Sequence, residues 1–188
     1  MTHARLFDKI VTNTPESWSF LGFPWKRTSQ YSIFEVDEHS DEFRFVTADI
    51  DNSPGEHAFT YSWIKRIQNV CMFGRYLIRH QQLFAKDTNS QEEIQYTCIP
   101  ECKIEELARH NVDSRYLQYP NSDAFVNYEL LRNATDALVR VHKSVTYPWV
   151  LVCARVSTPP DGKIMSDSEI YPEYVVKFAS INREPLTL

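Results

Sequence analysis

Ile64-Lys65-Arg66-Ile67-Gln68-Asn69-Val70-Cys71-Met72-Phe73-Gly74-Arg75-Tyr76 decides how this chain folds, because its hydrophobic spacing changes partway along. From Phe59 to Gln68 the apolar side chains Tyr61, Trp63 and Ile67 fall on alternate residues, the mark of a half-buried strand. After Asn69 the apolar residues Met72, Phe73, Tyr76 and Leu77, with His80 and Leu83-Phe84, recur at three and four and line one helical face. Asn69 stands at the join, where its side-chain oxygen can cap the helix. A strand therefore runs directly into a helix.

Working outward, Tyr31-Ser32-Ile33-Phe34-Glu35-Val36 predicts a short strand. Ser40 then offers an N-cap to a helix whose face carries Phe43, Val46 and Ile50. Downstream, Ile94 to Cys98 reads as a strand, and Lys103 to His110 as a helix with Ile104, Leu107 and Ala108 on one face. Tyr128 to Lys143 predicts a further helix, with Leu131, Ala134, Leu138 and Val141 aligned. Trp149-Val150-Leu151-Val152-Cys153-Ala154-Arg155-Val156 is a near-continuous apolar run, which suits a strand covered on both faces. Tyr174-Val175-Val176-Lys177-Phe178 predicts the last strand. Helices and strands are interspersed without βαβ regularity, so the pattern predicts an α+β domain.

The 188 residues suit one domain, 1–188, and the 13% aromatic content, including Trp18, Trp25, Trp63 and Trp149, supplies a large buried area. The net charge of −5 argues against a nonspecific grip on nucleic acid, which needs a basic face. No apolar run is long enough to cross a bilayer, and the N-terminus has no secretory apolar core, so no membrane association is expected. Cys71, Cys98, Cys102 and Cys153 are expected to be reduced thiols, which places the protein inside the cell. Cys98 and Cys102 have no second cluster of ligands at zinc spacing, so no metal site is expected. The lone helical histidines His80 and His110 are expected to be structural or superficial, and the acid pairs Glu92-Glu93 and Glu105-Glu106 solvated.

Four segments in this order resemble the catalytic domain of poly(ADP-ribose) polymerases, closest to the mono-ADP-ribosylating and zinc-finger antiviral protein branch. Glu16-Ser17-Trp18, the Tyr31 strand and Ser40-Asp41-Glu42-Phe43 resemble the branch's opening Trp, strand and Ser-x-Glu-Phe helix. Arg66-Ile67-Gln68-Asn69 with Met72-Phe73 and Tyr76 resembles the family's strand-to-helix junction. Trp149 to Val156 resembles its core strand, and Ile170-Tyr171-Pro172-Glu173-Tyr174 to Phe178 its last one. The resemblance covers about residues 16–180 and implies an ADP-ribosyltransferase fold with a mixed, mostly antiparallel split sheet and flanking helices.

The family holds NAD through a His-Gly-Thr triplet, a glycine-rich turn leading to a tyrosine, and a glutamate or its replacement. Aligned on the same strand, Tyr96 stands at the His, Thr97 at the Gly and Cys98 at the Thr. A β-branched Thr97 obstructs the close main-chain approach that glycine allows. Phe125, in Asn121-Ser122-Asp123-Ala124-Phe125, falls nearest the first family tyrosine, and Asp161 near the glutamate. Neither carries a catalytic role over, and Glu173 matches a structural acid. The only glycines are Gly22, Gly55, Gly74 and Gly162, so none lies between residues 75 and 161, where both glycine-dependent edges of an NAD cleft would be built. The resemblance therefore implies a pseudoenzyme without catalytic residues, cofactor or metal. Its former cleft lies near Tyr96, Thr97, Cys98 and Phe125. Such a domain is expected to serve as a protein-binding scaffold, cytoplasmic or nuclear, in RNA-linked antiviral restriction or in gene and transposon silencing. The alternatives are an active mono-ADP-ribosyltransferase with an atypical site, and a domain that binds NAD or ADP-ribose without catalysis.

Overall fold

A computed structural model describes residues 15, 18, 31–54, 57–112, 130–141, 148–158, 164 and 166–183. In chain order the elements are β1 (Ser32–Glu35), α1 (Asp41–Asp51), β2 (His57–Gln68), α2 (Val70–Lys86), β3 (Gln91–Pro100), α3 (Ile104–His110), α4 (Ala134–Val141), β4 (Trp149–Thr158) and β5 (Ile170–Arg183). Single 3-10 turns precede α3 and β5, at Glu101–Lys103 and Asp167–Glu169. The described strands form one five-stranded sheet in the order β1-β2-β5-β4-β3, with every pairing antiparallel. The α+β class predicted from the element pattern is what the chain adopts.

The long β5 explains the shape of this sheet. Its C-terminal part pairs with β2 and its N-terminal part with β4, so that only Tyr174, Val175 and Val176 have partners on both sides. The expected split is therefore corrected among the described residues: β5 belongs to both halves and joins them into one sheet. Pro172 lies beyond the last β2 pair, Arg66 with Tyr174, so its missing N–H costs the β2 ladder nothing. On the β4 side the register shifts between Cys153 and Ala154, which leaves Glu173 as the extra residue of a bulge.

Alternation along β4 sorts the core into two faces. Leu151 and Cys153 join Ile64, Tyr96, Cys98, Tyr174 and Val176 beneath α1 and α4. Val150, Val152, Ala154 and Val156 join Ile67, Ile99 and Val175 beneath α3. The apolar run from Trp149 is thus buried on both sides, as its composition predicts. Each fully buried aliphatic side chain there contributes roughly 1.5–3 kcal/mol. A third cluster packs Met72, Phe73 and Tyr76 of α2 against Tyr171 and Trp18.

The caps are where the residue types place them. Ser40 accepts from Phe43 N–H at 3.1 Å, and Asn69 from Met72 N–H at 3.0 Å. Asn69 also donates to Ala108 O at 2.9 Å, tying the start of α2 to α3. Asn111 ends α3 at a φ of 73°, a region asparagine tolerates better than most residues. Its side chain donates to Asp167 O at 2.7 Å and Ile170 O at 2.8 Å, which holds it there.

Two predicted features differ. Of the helix expected from Tyr128 to Lys143, whose two ends lie outside the described residues, 130–133 are not helical and Ala134–Val141 are, with Asn133 capping the start by accepting from Thr135 N–H at 2.7 Å. Leu131, expected on the helix face, instead pairs with β3. In α2, Phe84 is exposed while its neighbour Leu83 is buried, since one helical face cannot carry two adjacent side chains equally.

Candidate functional site

The residues that carry the sequence motifs meet one another in space. Glu42 of α1 receives Arg66 Nη1 on both oxygens, at 2.7 and 2.5 Å, and the Tyr174 hydroxyl at 2.9 Å. One carboxylate thereby joins α1, β2 and β5. Tyr171 donates to Ile67 O at 2.8 Å and accepts from Asn69 N–H at 3.4 Å, which fastens β5 to the strand-to-helix junction. Arg155 grips Glu173 through Nε at 2.6 Å and Nη2 at 2.9 Å, a planar two-point contact. Arg79 binds the fully buried Glu169 through Nε at 2.9 Å and Nη2 at 2.6 Å. Glu173 is buried where Arg155 holds it.

Tyr96, Thr97 and Cys98 lie in sequence along β3 and are all buried. Tyr96 is 3% exposed, and its hydroxyl donates to Asp49 on α1. Its main chain is occupied as well. Tyr96 N–H donates to Leu131 O at 2.6 Å, and Leu131 N–H donates to Tyr96 O at 2.8 Å. Since both main-chain groups of Tyr96 point away from β4, alternation turns those of Thr97 toward Val152, its partner on β4. The outward-facing main chain of this strand is therefore that of Tyr96, not that of Thr97 as the alignment suggests. Cys98 donates from Sγ to Ala137 O at 3.5 Å, under α4. Phe125 and Asp161 lie outside the described residues.

Beside Tyr96 a cleft of about 250 Å³ opens between α1 and the surface of β3, β4 and β5. Phe45, Asp49, Glu92, Glu93, Arg155 and Glu173 contribute to its lining. Of the acids expected to be solvated, Glu92 and Glu105 are exposed and Glu93 and Glu106 half-buried, and each also has a partner. Glu92 takes Arg155 Nη1 at 3.0 Å, and Glu93 takes Arg132 Nε at 3.2 Å and the Thr158 hydroxyl at 2.8 Å. Being adjacent on a strand, they serve opposite faces of the sheet. Glu105 accepts from the Tyr31 hydroxyl at 2.5 Å, and Glu106 pairs with Lys103. His80 Nδ1 lies 3.0 Å from the Ser157 hydroxyl, but Ser157 has no exposed surface and cannot serve as a nucleophile. His110, at the end of α3, is exposed.

Asp49 and Leu131 were not recognised as partners of Tyr96 from the sequence. Asp49 sits on the polar side of α1 and Leu131 fits a helical period, so neither carries a local signal for its contact. Among the described residues no cluster of His, Cys, Asp and Glu is placed to hold a metal ion. No helix among them is long and apolar enough to cross a membrane. All four cysteines are free thiols.

Burial pushes up the pKa values of Cys98 and Cys153, and likewise those of Tyr96 and Tyr171. For Tyr96 the Asp49 carboxylate adds to that effect. The folded chain keeps protons that the unfolded chain releases. This stability is intact below the ordinary values of 9.0 for thiols and 10.0 for phenols and is lost as pH rises past them. Each such group steepens the alkaline decline by up to about 1.4 kcal/mol per pH unit. Urea midpoints from pH 8 upward should fall from about pH 9, and Cys98→Ala should flatten the first part of that fall.

No family model matches the chain, and no curated protein matches it.

Proposed function

We propose that this chain is a catalytically inactive ADP-ribosyltransferase-like domain that works as a protein-interaction or scaffold module. The observation that carries the reading is the double commitment of Tyr96. In the family that the sequence resembles, main chain on this strand grips the amide of nicotinamide. Here the main-chain N–H and C=O of Leu131, from two successive peptide groups, pair with the C=O and N–H of Tyr96 and cover the outer edge of β3 beside Thr97, the position aligned with the family's glycine. The phenol above it is buried against Asp49. A cofactor would have to displace both contacts. Displacement costs the hydrogen bonds of buried groups, about 1–3 kcal/mol for each left unpaired. The lack of glycine from residue 75 to 161 supports the same conclusion, since bare main chain is what a dinucleotide needs to approach.

The motif residues support it from another side. Glu42, Arg66, Tyr171, Tyr174 and Glu173 are engaged in holding strands and helices together, a role that survives the loss of chemistry. The settings in which such a scaffold would act are intracellular: RNA-linked antiviral restriction, or gene and transposon silencing.

Incubation with labelled NAD tests this. The expected result is no transfer of label to protein and no rise in melting temperature at millimolar NAD or ADP-ribose, because ligand that does not bind the native state does not stabilise it. Label transfer that disappears in Tyr96→Ala would establish an active mono-ADP-ribosyltransferase instead. A melting shift without transfer would establish ligand binding without catalysis.

A further inference from the structure

We propose that the cleft between α1 and the β3–β4–β5 surface receives an arginine side chain from a partner protein. This names the partner chemistry for the interaction module proposed above, and rests on that reading only in needing a partner. Three properties of the cleft converge on a guanidinium. Its volume of about 250 Å³ suits a side chain rather than a folded element. Three carboxylates, those of Asp49, Glu92 and Glu173, face one guanidinium, Arg155, while the Glu93 side chain on the other face of the sheet is paired with Arg132. Negative charge is left over, so an entering cation is attracted and an anion repelled. Phe45 lines the same cleft and is 70% exposed, an unusual state for a phenylalanine on a helix whose apolar face is otherwise inward.

The carboxylates are not equally available. Arg155 already takes both oxygens of Glu173 and one of Glu92. Asp49 has a neutral phenol, Tyr96, as its hydrogen-bond donor, and it is exposed on α1 one helical turn from Phe45. A planar guanidinium can stack on the Phe45 ring while its edge donates to Asp49, a combination a lysine ammonium makes less well. Ile94 and Tyr174 complete the lining and give the aliphatic stem of the arginine an apolar wall.

The test is a titration of the full chain with a short peptide of glycines around a single arginine, followed by backbone amide NMR. A second peptide with citrulline in place of arginine keeps the shape and removes the charge. Saturable shifts at Phe45, Asp49 and Glu92 with the arginine peptide, absent with citrulline, are expected. Phe45→Ala should weaken binding about threefold, and Asp49→Asn about fivefold. Both positions are exposed, and thermal melts of the variants check that the fold is kept. The proposal is overturned by no saturable shift, by equal shifts with citrulline, by shifts confined to other surfaces, or by unchanged binding in both variants. Transfer of ADP-ribose from NAD, by contrast, would remove the scaffold reading and leave the occupancy of this cleft as measured.

Discussion

Glu42→Ala should lower the unfolding free energy by about 3 kcal/mol, visible as a fall in the urea midpoint with an unchanged slope. The reason is the company Glu42 keeps. Arg66 is 6% exposed near the C-terminal end of β2, and Glu42 takes its Nη1 on both oxygens. Removing that carboxylate takes the Glu42 partner from a guanidinium charge in a site with little water, and breaking one side of a buried ion pair costs more than the pair itself contributes. The Phe34 ring, 5.6 Å from the guanidinium, offsets only part of this. The Tyr174 hydroxyl loses Glu42 as an acceptor in the same step. Glu42→Gln, which keeps an acceptor, should cost clearly less. A loss below about 1 kcal/mol for Glu42→Ala would mean that the pair behaves like a solvated surface contact, and that the three segments it joins are held by packing alone.

Tyr171→Ala should cost about 4 kcal/mol, the upper part of the range for removing a buried aromatic side chain. The ring has no exposed surface and lies 5.1 Å from Phe73 and about 6 Å from Trp18 and Tyr76, centre to centre. Its loss opens a cavity between α2 and β5. Tyr171→Phe separates the two contributions. It keeps the ring and removes only the hydroxyl that serves Ile67 O and Asn69 N–H, and should cost about 1–2 kcal/mol. Chemical denaturation of both variants reads the difference directly. A Tyr171→Phe variant as unstable as Tyr171→Ala would show that the hydroxyl, not the packing, holds the junction together.

These two expectations bear on function as much as on stability. The segments through which the chain resembles an enzyme family are joined to each other by buried hydrogen bonds and ion pairs. The strand where the chemistry would lie is closed by its own neighbours, Asp49 and Leu131. A chain that keeps the first set and fills the second can hold its shape for recognition at other surfaces. The arginine site proposed beside Phe45 would be one such surface, and the Asp49 carboxylate that accepts from Tyr96 also lines it.

Local chemistry made much of this legible in advance. Ser40 and Asn69 cap helices because a short polar side chain before an apolar period has a free N–H to satisfy, and that requires only near neighbours. The run from Trp149 is buried on both faces because it contains almost nothing that water would hold outside. The helix start at Ala134 was misplaced for the opposite reason. Leu131 has the right period for a helix, yet its main chain is claimed by Tyr96, far away in sequence. The ion pairs of Glu92 and Glu93 have no local signal, because their partners, Arg155 and Arg132, are also distant in sequence.

From the amino-acid order alone came the helix caps, the strand positions, the α+β class and the shortage of glycine that speaks against a dinucleotide site. Only the tertiary structure decided which main-chain edge of β3 is open, what covers it, and that an acidic cleft with an exposed phenylalanine forms beside it. The physical reason is range. Periodicity and capping act within a few residues, whereas the Tyr96–Leu131, Tyr96–Asp49 and Arg155–Glu92 contacts join residues far apart in sequence and exist only in the folded chain.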